Sequence, residues 1–415
     1  MANSQSALSA KVRRSQRVWR SPQEWVVRGL AAAVIAGLGY YCVIFSVAQV
    51  TVRGNPASAY RMVPNSGAIA GDYAAGLMRE NPSLANALAR RALMHDPTAI
   101  GAIVTLGINA QLHGDVGAAR RLFAYGQRLS RRDNSTQLWA IEDAVARNDI
   151  PDVLRHYDVA LRTSPNLADI LYPVLASASA DPAIRSALIR TLIARPPWGD
   201  GFLIYMSGKG PDPEASARFL QGMAQAKLPV PAEAIANAVN ALLAIGHGDD
   251  AWAVYQMWHP KADRRYSRDP RFTGSRQALS VLDWIPIDGD GLTASIQAGQ
   301  RGGILDFVAS SSASGPVARQ IQLLPAGTYR LTGHSTGPAQ AQDAQPYWTI
   351  RCQNNLEIAR VSLANVDGDA GSHQKVIFKV PAGCPLQILE LVVRPSDNAA
   401  GSNGQIDYLK VEPIR

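Results

Sequence analysis

Residues 87–97 read ALARRALMHDP, and this stretch sets how the middle of the chain folds. Leu88, Ala92 and Leu93 join Ala85 and Ala89 on one helical stripe, and Pro97 stops the helix. The pattern recurs at a fixed interval. Ala85, Ala119 and Val153 stand 34 residues apart, as do Ala89, Phe123 and Tyr157, then Ala92, Gly126 and Ala160, and finally Pro97, Arg131 and Pro165. Small residues at such positions let paired helices approach closely, and the period is that of a tetratricopeptide repeat. Leu106-Gly107 occupies the Leu-Gly position in the first helix of the middle unit.

Toward the C-terminus the array loosens. Residues 167–197 look like a fourth unit shortened near Asp181-Pro182, and 198–231 read as irregular because PPWGDG and SGKGPDPE interrupt the periodicity. A further helical pair follows in PAEAIANAVNALLAIGHGDDAWAVYQMW. Its His247-Gly248-Asp249 matches His113-Gly114-Asp115, which predicts a turn glycine followed by an aspartate cap in both places. The histidines are therefore expected as turn residues and not as ligands. Arg120, Arg121, Arg128, Arg131 and Arg132 form a basic cluster beside the middle unit, a candidate surface for acidic polymer, lipid headgroups or an acidic partner, with a solvated helix face as the other reading.

Toward the N-terminus the chain changes character twice. Residues 53–71 are rich in Gly, Pro, Ser and Asn, as a tether would be. Between Gly29 and Val52 there is no charged residue, and that length spans a bilayer as a helix. Trp19 and Trp25 lie on its entry side, where such rings suit a membrane interface. Residues 1–28 hold six basic residues against Glu24, a net of +5, which leaves +3 of the total +8 for the other 387 residues. Charge concentrated on a tail before an apolar span fits the positive-inside rule better than a folded nucleic-acid-binding face. The expected topology is a single-pass inner-membrane protein with a cytoplasmic N-terminus and a periplasmic bulk. The competing reading is a signal peptide cleaved after Ser46-Val47-Ala48, but the apolar run exceeds a usual signal core of about 7–15 residues.

Beyond residue 260 the helical period fades. Residues 261–278 read as a charged linker, and from 279 to 415 short alternating runs are punctuated by turns, among them GILDFVA, GTYRLTG, YWTIRCQ, QKVIFKV and QIDYLKVEPI. This predicts an antiparallel β-sandwich or jelly roll with Trp284 and Trp348 in its core. An exported domain would let Cys352 and Cys384 pair as a disulfide, with two separate buried thiols as the other reading. Cys42 falls in the membrane span. The predicted architecture is multidomain, α then β: tail 1–28, transmembrane helix 29–52, tether 53–71, an α-helical tetratricopeptide-like solenoid over 72–260, linker 261–278 and sandwich 279–415.

Catalytic signatures do not survive their context. Gly333-His-Ser335-Thr-Gly337 has the G-x-S-x-G spacing of a hydrolase nucleophile elbow, but GPAQAQDAQP follows it where a helix should start. Asp343 and His373 are not placed as triad partners, so Ser335 is expected as a loop residue between strands. Gly208-Lys209-Gly210 is no phosphate-binding loop, and no Cys/His spacing suits zinc. Asn365, Asp367 and Asp369, and likewise Asp288 and Asp290, have the look of incomplete calcium loops. A structural calcium is compatible with a jelly roll, yet ordinary polar turns account for these residues, and no cofactor is expected.

From Leu282 onward the chain resembles jelly-roll, carbohydrate-binding-type domains of exported bacterial proteins, through Leu282-Asp-Trp284, LPAGTYRLTG, YWTIRC, VPAGC and GQIDYLKVEP. Over most of residues 25–415 it resembles membrane-anchored, tetratricopeptide-like proteins found with polysaccharide-export systems of Gram-negative bacteria. The resemblance implies a non-enzymatic scaffold that binds envelope proteins through its repeats. It also implies, as the alternative, a glycan-binding sandwich with the repeats as a spacer. Tyr347, Asn403 and Gln405 are then the candidate sugar contacts.

Overall fold

The structure, a computed structural model, describes residues 22–274, 280–364 and 371–414. Most of the basic tail and the Asn365, Asp367 and Asp369 turn lie outside the described residues. The chain divides into two compact units, the first ending at Ala140 and the second beginning at Ile141, so the division falls inside a helix.

The first unit opens with α1 (Pro22–Thr51), which holds the 29-residue span Gln23–Thr51 long and apolar enough to cross a membrane. Short α2 (Pro56–Met62) follows, and then α3 (Gly67–Leu77) with α4 (Pro82–His95), α5 (Ile100–Leu112) with α6 (Val116–Leu129), and the start of α7 (Asn134–Ala146). The first helix of one pair also packs on the first helix of the next, as α3 does on α5, which is how stacked repeats bury a shared core. Gly71 makes that approach possible, because a β-carbon there would lie 2.8 Å from the Ala102 amide nitrogen. Ala85, Ala89, Ala92, Ala119, Phe123 and Gly126 are all buried, as the 34-residue register requires. The residues 53–71, expected as a tether, instead contain α2 and the start of α3. Ala59, Val63 and Ile69 form one cluster with Ala48 of α1, flanked by Ile44 and Val52. The cause is local: Asn55 and Ser66 cap the two helices through Ser58 N and Ile69 N, so the polar residues that suggest a loop are helix starts.

The second unit carries α8 (Ile150–Thr163), α9 (Ala168–Ala178), α10 (Pro182–Ile193), α11 (Gly199–Lys209), α12 (Pro213–Gln225), α13 (Ala232–Ala244) and α14 (Gly248–Trp258). Here too, helices two apart in sequence pack together, α8 on α10, α9 on α11, α10 on α12, α11 on α13 and α12 on α14. The residues 198–231, expected to be irregular, form the ordered pair α11–α12. PPWGDG does not break the array. Trp198 is buried just before α11, packs edge-on to Phe202 and donates its indole N–H to Asp158 Oδ1 at 2.9 Å. In SGKGPDPE, Asp212 caps α12 through Ala215 N, and Pro213 takes the first helical position, where its missing N–H costs nothing.

The inter-helix turns also settle the register of the last pair. Gly114 (φ 79°) and Asn148 (φ 54°) occupy the left-handed position, and Asp115 and Asp149 follow as N-caps. In the last pair the left-handed residue is Gly246 (φ 83°), and His247 takes the cap position. The expected match of Gly248 to Gly114 is therefore two residues out, and Gly248 is the first residue of α14. Two glycines in Ile-Gly-His-Gly make the alignment ambiguous from sequence, and only the one whose φ is positive ends the helix.

The sandwich consists of two five-stranded antiparallel sheets. One has the order β1 (Ile285–Pro286), β4 (Gly315–Gln322), β9 (Gln387–Val393), β6 (Tyr347–Cys352), β7 (Glu357–Ser362). The other runs β2 (Leu292–Gly299), β3 (Gly302–Ala309), β10 (Ser402–Pro413), β5 (Gly327–Thr336), β8 (Ser372–Val380). Trp284 and Trp348 sit in the core between them with ring centroids 5.7 Å apart.

The stretch expected as a charged linker, 261–278, is not one over its described residues. It is a strap fastened to both sheets. Ser267 N donates to Val411 O, Leu409 N to Pro270 O and Gly303 N to Arg271 O, while Trp284 Nε1 donates to Asp269 O. Phe272 is 2 % exposed and packs on Trp284 at 5.2 Å, so it belongs to the sandwich core. Asp269 and Phe272 are held at φ 46° and 55°, a strained backbone that persists because the strap is fastened on both sides. Helices join in as well: Arg264 bridges Asp249 on α14 and the carbonyl of Leu323, and Asn240 on α13 accepts from Val281 N. The seven basic and acidic residues of KADRRYSRDPR look like a solvated tether in sequence, because the partners of Arg264 and Arg268 lie far away along the chain.

Candidate functional site

Three surfaces hold the side chains singled out by sequence. On the first unit, Arg120, Arg121 and Arg128 project from α6, and Arg131 and Arg132 lie in the turn before α7; all five are exposed. Arg121 and Arg128 are two turns apart and share a helix face. Arg128 also lies over the Tyr125 ring at 5.7 Å, and Tyr125 in turn donates to Pro97 O at 3.1 Å. The Arg128 guanidinium is thus held against its own helix, and all five residues remain exposed.

The second surface is the outward face of the sheet β4-β9-β6-β7. Tyr347 opens β6, and its ring is contacted by two guanidinium groups, with Arg360 Cζ 4.4 Å and Arg394 Cζ 4.6 Å from the centroid. Both are within cation–π range. A sugar stacking on Tyr347 would compete with these cations. In the neighbouring row, Glu390 on β9 is buried and receives hydrogen bonds from both Arg319 and Arg351. Glu357 is held below the usual carboxylate range by the hydrogen bond from Arg360, with a second from Thr349.

The third surface is the outward face of the other sheet. Asn403 and Gln405 alternate with the buried Ser402, Gly404 and Ile406 on the central strand β10. Gln405 is opposite Asp306 of β3 on one side and Thr336 of β5 on the other, and Asp306 is opposite Ser295 of β2. Ser295, Asp306, Gln405 and Thr336 therefore form a polar row across four strands. The structure brings Asn403 and Gln405 together but places Tyr347 on the opposite sheet. Sequence alternation identifies the outward side chains, whereas Asp306, Ser295 and Thr336 could be grouped with Gln405 only once strand register was known.

Ser335 is not a loop residue. It lies inside β5, fully buried, and its Oγ accepts from Gln374 Nε2 at 2.8 Å. Pairing with β8 extends to Ser335–Ser372, and pairing with β10 carries the strand one residue further, to Thr336 opposite Gln405. A buried hydroxyl on a strand cannot serve as an elbow nucleophile. Next to it His334 contacts Asp407 at 2.6 Å, and its ring lies 4.8 Å from that of His373. Among the described residues no group of three or more His, Cys, Asp or Glu is arranged to hold a metal ion. Asp288 accepts from Ala294 N, which accounts for it as a turn residue. Cys352 and Cys384 are joined as a disulfide, which ties the end of β6 to the turn before β9.

No protein-family model matches the chain, and no curated protein matches it. Loose likenesses exist among solved structures. The type IV pilus biogenesis factor PilW is 16% identical over 48% of this chain and 95% of its own, with a TM-score of 0.26. The CBM22-1 xylan-binding domain of Xyn10C from Paenibacillus barcinonensis is 13% identical over 35% of this chain and 92% of its own, with a TM-score of 0.23. Tailspike protein 4 of bacteriophage CBA120 is 13% identical over 35% of this chain, which spans only 20% of that structure, with a TM-score of 0.24. At these scores none of them assigns an activity to this chain.

Proposed function

We propose that this protein is a non-enzymatic scaffold, held in the inner membrane by α1, that binds envelope proteins through its helical repeats on the periplasmic side. The observation that carries the reading is the packing of Ala48, fully buried, against Ala59, Val63 and Ile69. Cleavage after Ala48 would strip α1 from the core of the first repeats, which argues for a permanent anchor and against a leader. The concentration of basic residues before the span argues for a cytoplasmic N-terminus. A disulfide in the sandwich is at home in an oxidising compartment. The partner chemistry is acidic, to match Arg120, Arg121, Arg128, Arg131 and Arg132, and the setting we favour is assembly or export of a surface polysaccharide.

The test is crosslinked recovery of the anchored protein from its native envelope, in parallel with a variant carrying Arg120→Glu, Arg121→Glu and Arg128→Glu. An envelope protein recovered with the native chain and lost with the variant supports the scaffold. A mature chain that begins after Ala48, or recovery indifferent to the three substitutions, rejects it. The second reading, glycan binding by the sandwich, is favoured by the row Ser295, Asp306, Gln405 and Thr336. It requires that Asp306→Ala with Gln405→Ala abolish retention on purified polysaccharide.

A further inference from the structure

The membrane-length helix α1 is longer than a bilayer requires. Between Arg28 and Arg53 the chain carries no charge, and residues 29–48 alone rise about 30 Å as a helix, the thickness of a hydrocarbon core. Arg28 stands at the entry end, paired with Glu24 at 3.0 Å. The last turn of α1 and Arg53 therefore emerge at the level of the lipid headgroups. There the chain doubles back. Asn55 N donates to Thr51 O, and α2 begins at the next residue, Pro56. Ala59 and Val63 pack on Ala48, with Ile44 and Val52 beside them, so α2 lies along the final turns of α1. The membrane helix thus holds α2 at headgroup depth.

We propose that α2 and the turn before it form a docking surface for anionic phospholipid, with Arg53 and Arg61 on the phosphate groups and Met62 at the outer edge of the acyl chains. All three side chains are exposed, Met62 by 44%. Arg61 Nη2 donates to Ser58 Oγ, a neutral partner, and among the described residues neither arginine forms an ion pair. Residues 25–71 contain no Asp or Glu, so the segment that reaches the headgroups is purely cationic. Charge complementarity then selects the lipid. A guanidinium can bond two phosphate oxygens at once, and each arginine beside an anionic membrane favours contact about fivefold. The surface is distinct from the arginines of α6. Lipid recognition here rests on the anchored reading and adds a second contact with the bilayer, one that seats the first repeat on the membrane.

The test is fluorescence quenching in the full-length protein, reconstituted into vesicles of phosphatidylcholine and phosphatidylglycerol. A bimane label is placed at Met62→Cys in a Cys42→Ala background, since Cys352 and Cys384 are held as a disulfide. A trace of lipid with a nitroxide high on its acyl chain is supplied as phosphatidylglycerol or as phosphatidylcholine. Both lipids should quench the label, and phosphatidylglycerol at least about twofold more strongly. Arg53→Gln with Arg61→Gln should make the two equal; these positions and Met62 are exposed, so the fold is left intact. Carbonate extraction of the same vesicles reports the anchor separately. A protein that stays in the membrane with a label that neither lipid quenches overturns this proposal and leaves the anchor standing. So does equal quenching with both arginines present, or a preference for phosphatidylglycerol that survives their substitution. Release by carbonate overturns the anchor and the lipid contact together.

Discussion

Gly107 and Phe123 are in direct contact within the α5–α6 pair: a β-carbon on Gly107 would lie 2.7 Å from Cε2 of the Phe123 ring. The ring cannot retreat, because Trp139 stacks on it at 4.3 Å. Gly107→Ala would gain roughly 0.5–1 kcal/mol of helix preference but incur overpacking of about 1–3 kcal/mol, so a net loss of stability is expected. Urea unfolding followed by tryptophan fluorescence checks the sign, and a more stable variant would show that the ring has room to move.

The strap should behave as core. Phe272→Ala is expected to lower stability by about 3–5 kcal/mol, as for a large buried aromatic, while Arg265→Ala on the same strap should stay within about 0.5 kcal/mol. Arg265 is exposed, and among the described residues its ion pair is with Asp263 two residues away. Equal, small effects at both positions in a denaturant titration would mean that the strap is a loose tether after all. A sandwich fragment starting at residue 279 would lack Phe272 and is expected to be unstable for the same reason.

Thiol titration should distinguish the three cysteines. Cys42 is expected to react in the unfolded, unreduced protein, and three thiols only after reduction. The bridge closes a sequence separation of 32 residues, for which chain entropy gives about 3–4 kcal/mol of stabilisation. Replacing both residues by alanine should therefore lower the denaturant midpoint of the sandwich markedly. Three thiols before reduction would refute the bond.

His156 gives the second unit a pH dependence. Its ring is buried on α8, and burial, reinforced by Arg155, pushes its pKa below the usual 6.5. Arg155 Nη2 lies 2.9 Å from Nε2 of the ring, a contact in which the neutral imidazole accepts. Because the folded value is depressed, the stability is fully present above about pH 6.5 and is lost as pH falls toward the folded value. The urea midpoint should thus fall between about pH 7 and pH 5.5, and His156→Gln should flatten that slope. An unchanged slope in the variant would assign it to other groups.

Much of the architecture was legible because its causes are local. The 34-residue register is carried by small residues that must be small for contact reasons, and the same interval separates the caps Asn81, Asp115 and Asp149. The membrane-length helix follows from an uninterrupted apolar run, and the strands follow from alternation. Some reading failed where a local sign had two meanings. Glycines and prolines in PPWGDG and SGKGPDPE signal breaks, but they also begin helices, and the deciding contact is Trp198 with Asp158, 40 residues away. Polar residues over 53–71 suggested a tether until Asn55 and Ser66 proved to be caps.

The sequence by itself determined the elements: one apolar helix, paired helices in a fixed register, then alternating strands with two cysteines between them. It did so because propensity, capping and periodicity act within a few residues. Only the tertiary structure decided that the charged stretch after residue 260 is a strap with Phe272 in the core and Arg268 buried. It also placed Gln405 level with Asp306 and Thr336, and Tyr347 on the other sheet. Those outcomes depend on strand register and on burial between residues up to 144 positions apart, as Ser267 and Val411 are, and no local pattern encodes such a pairing.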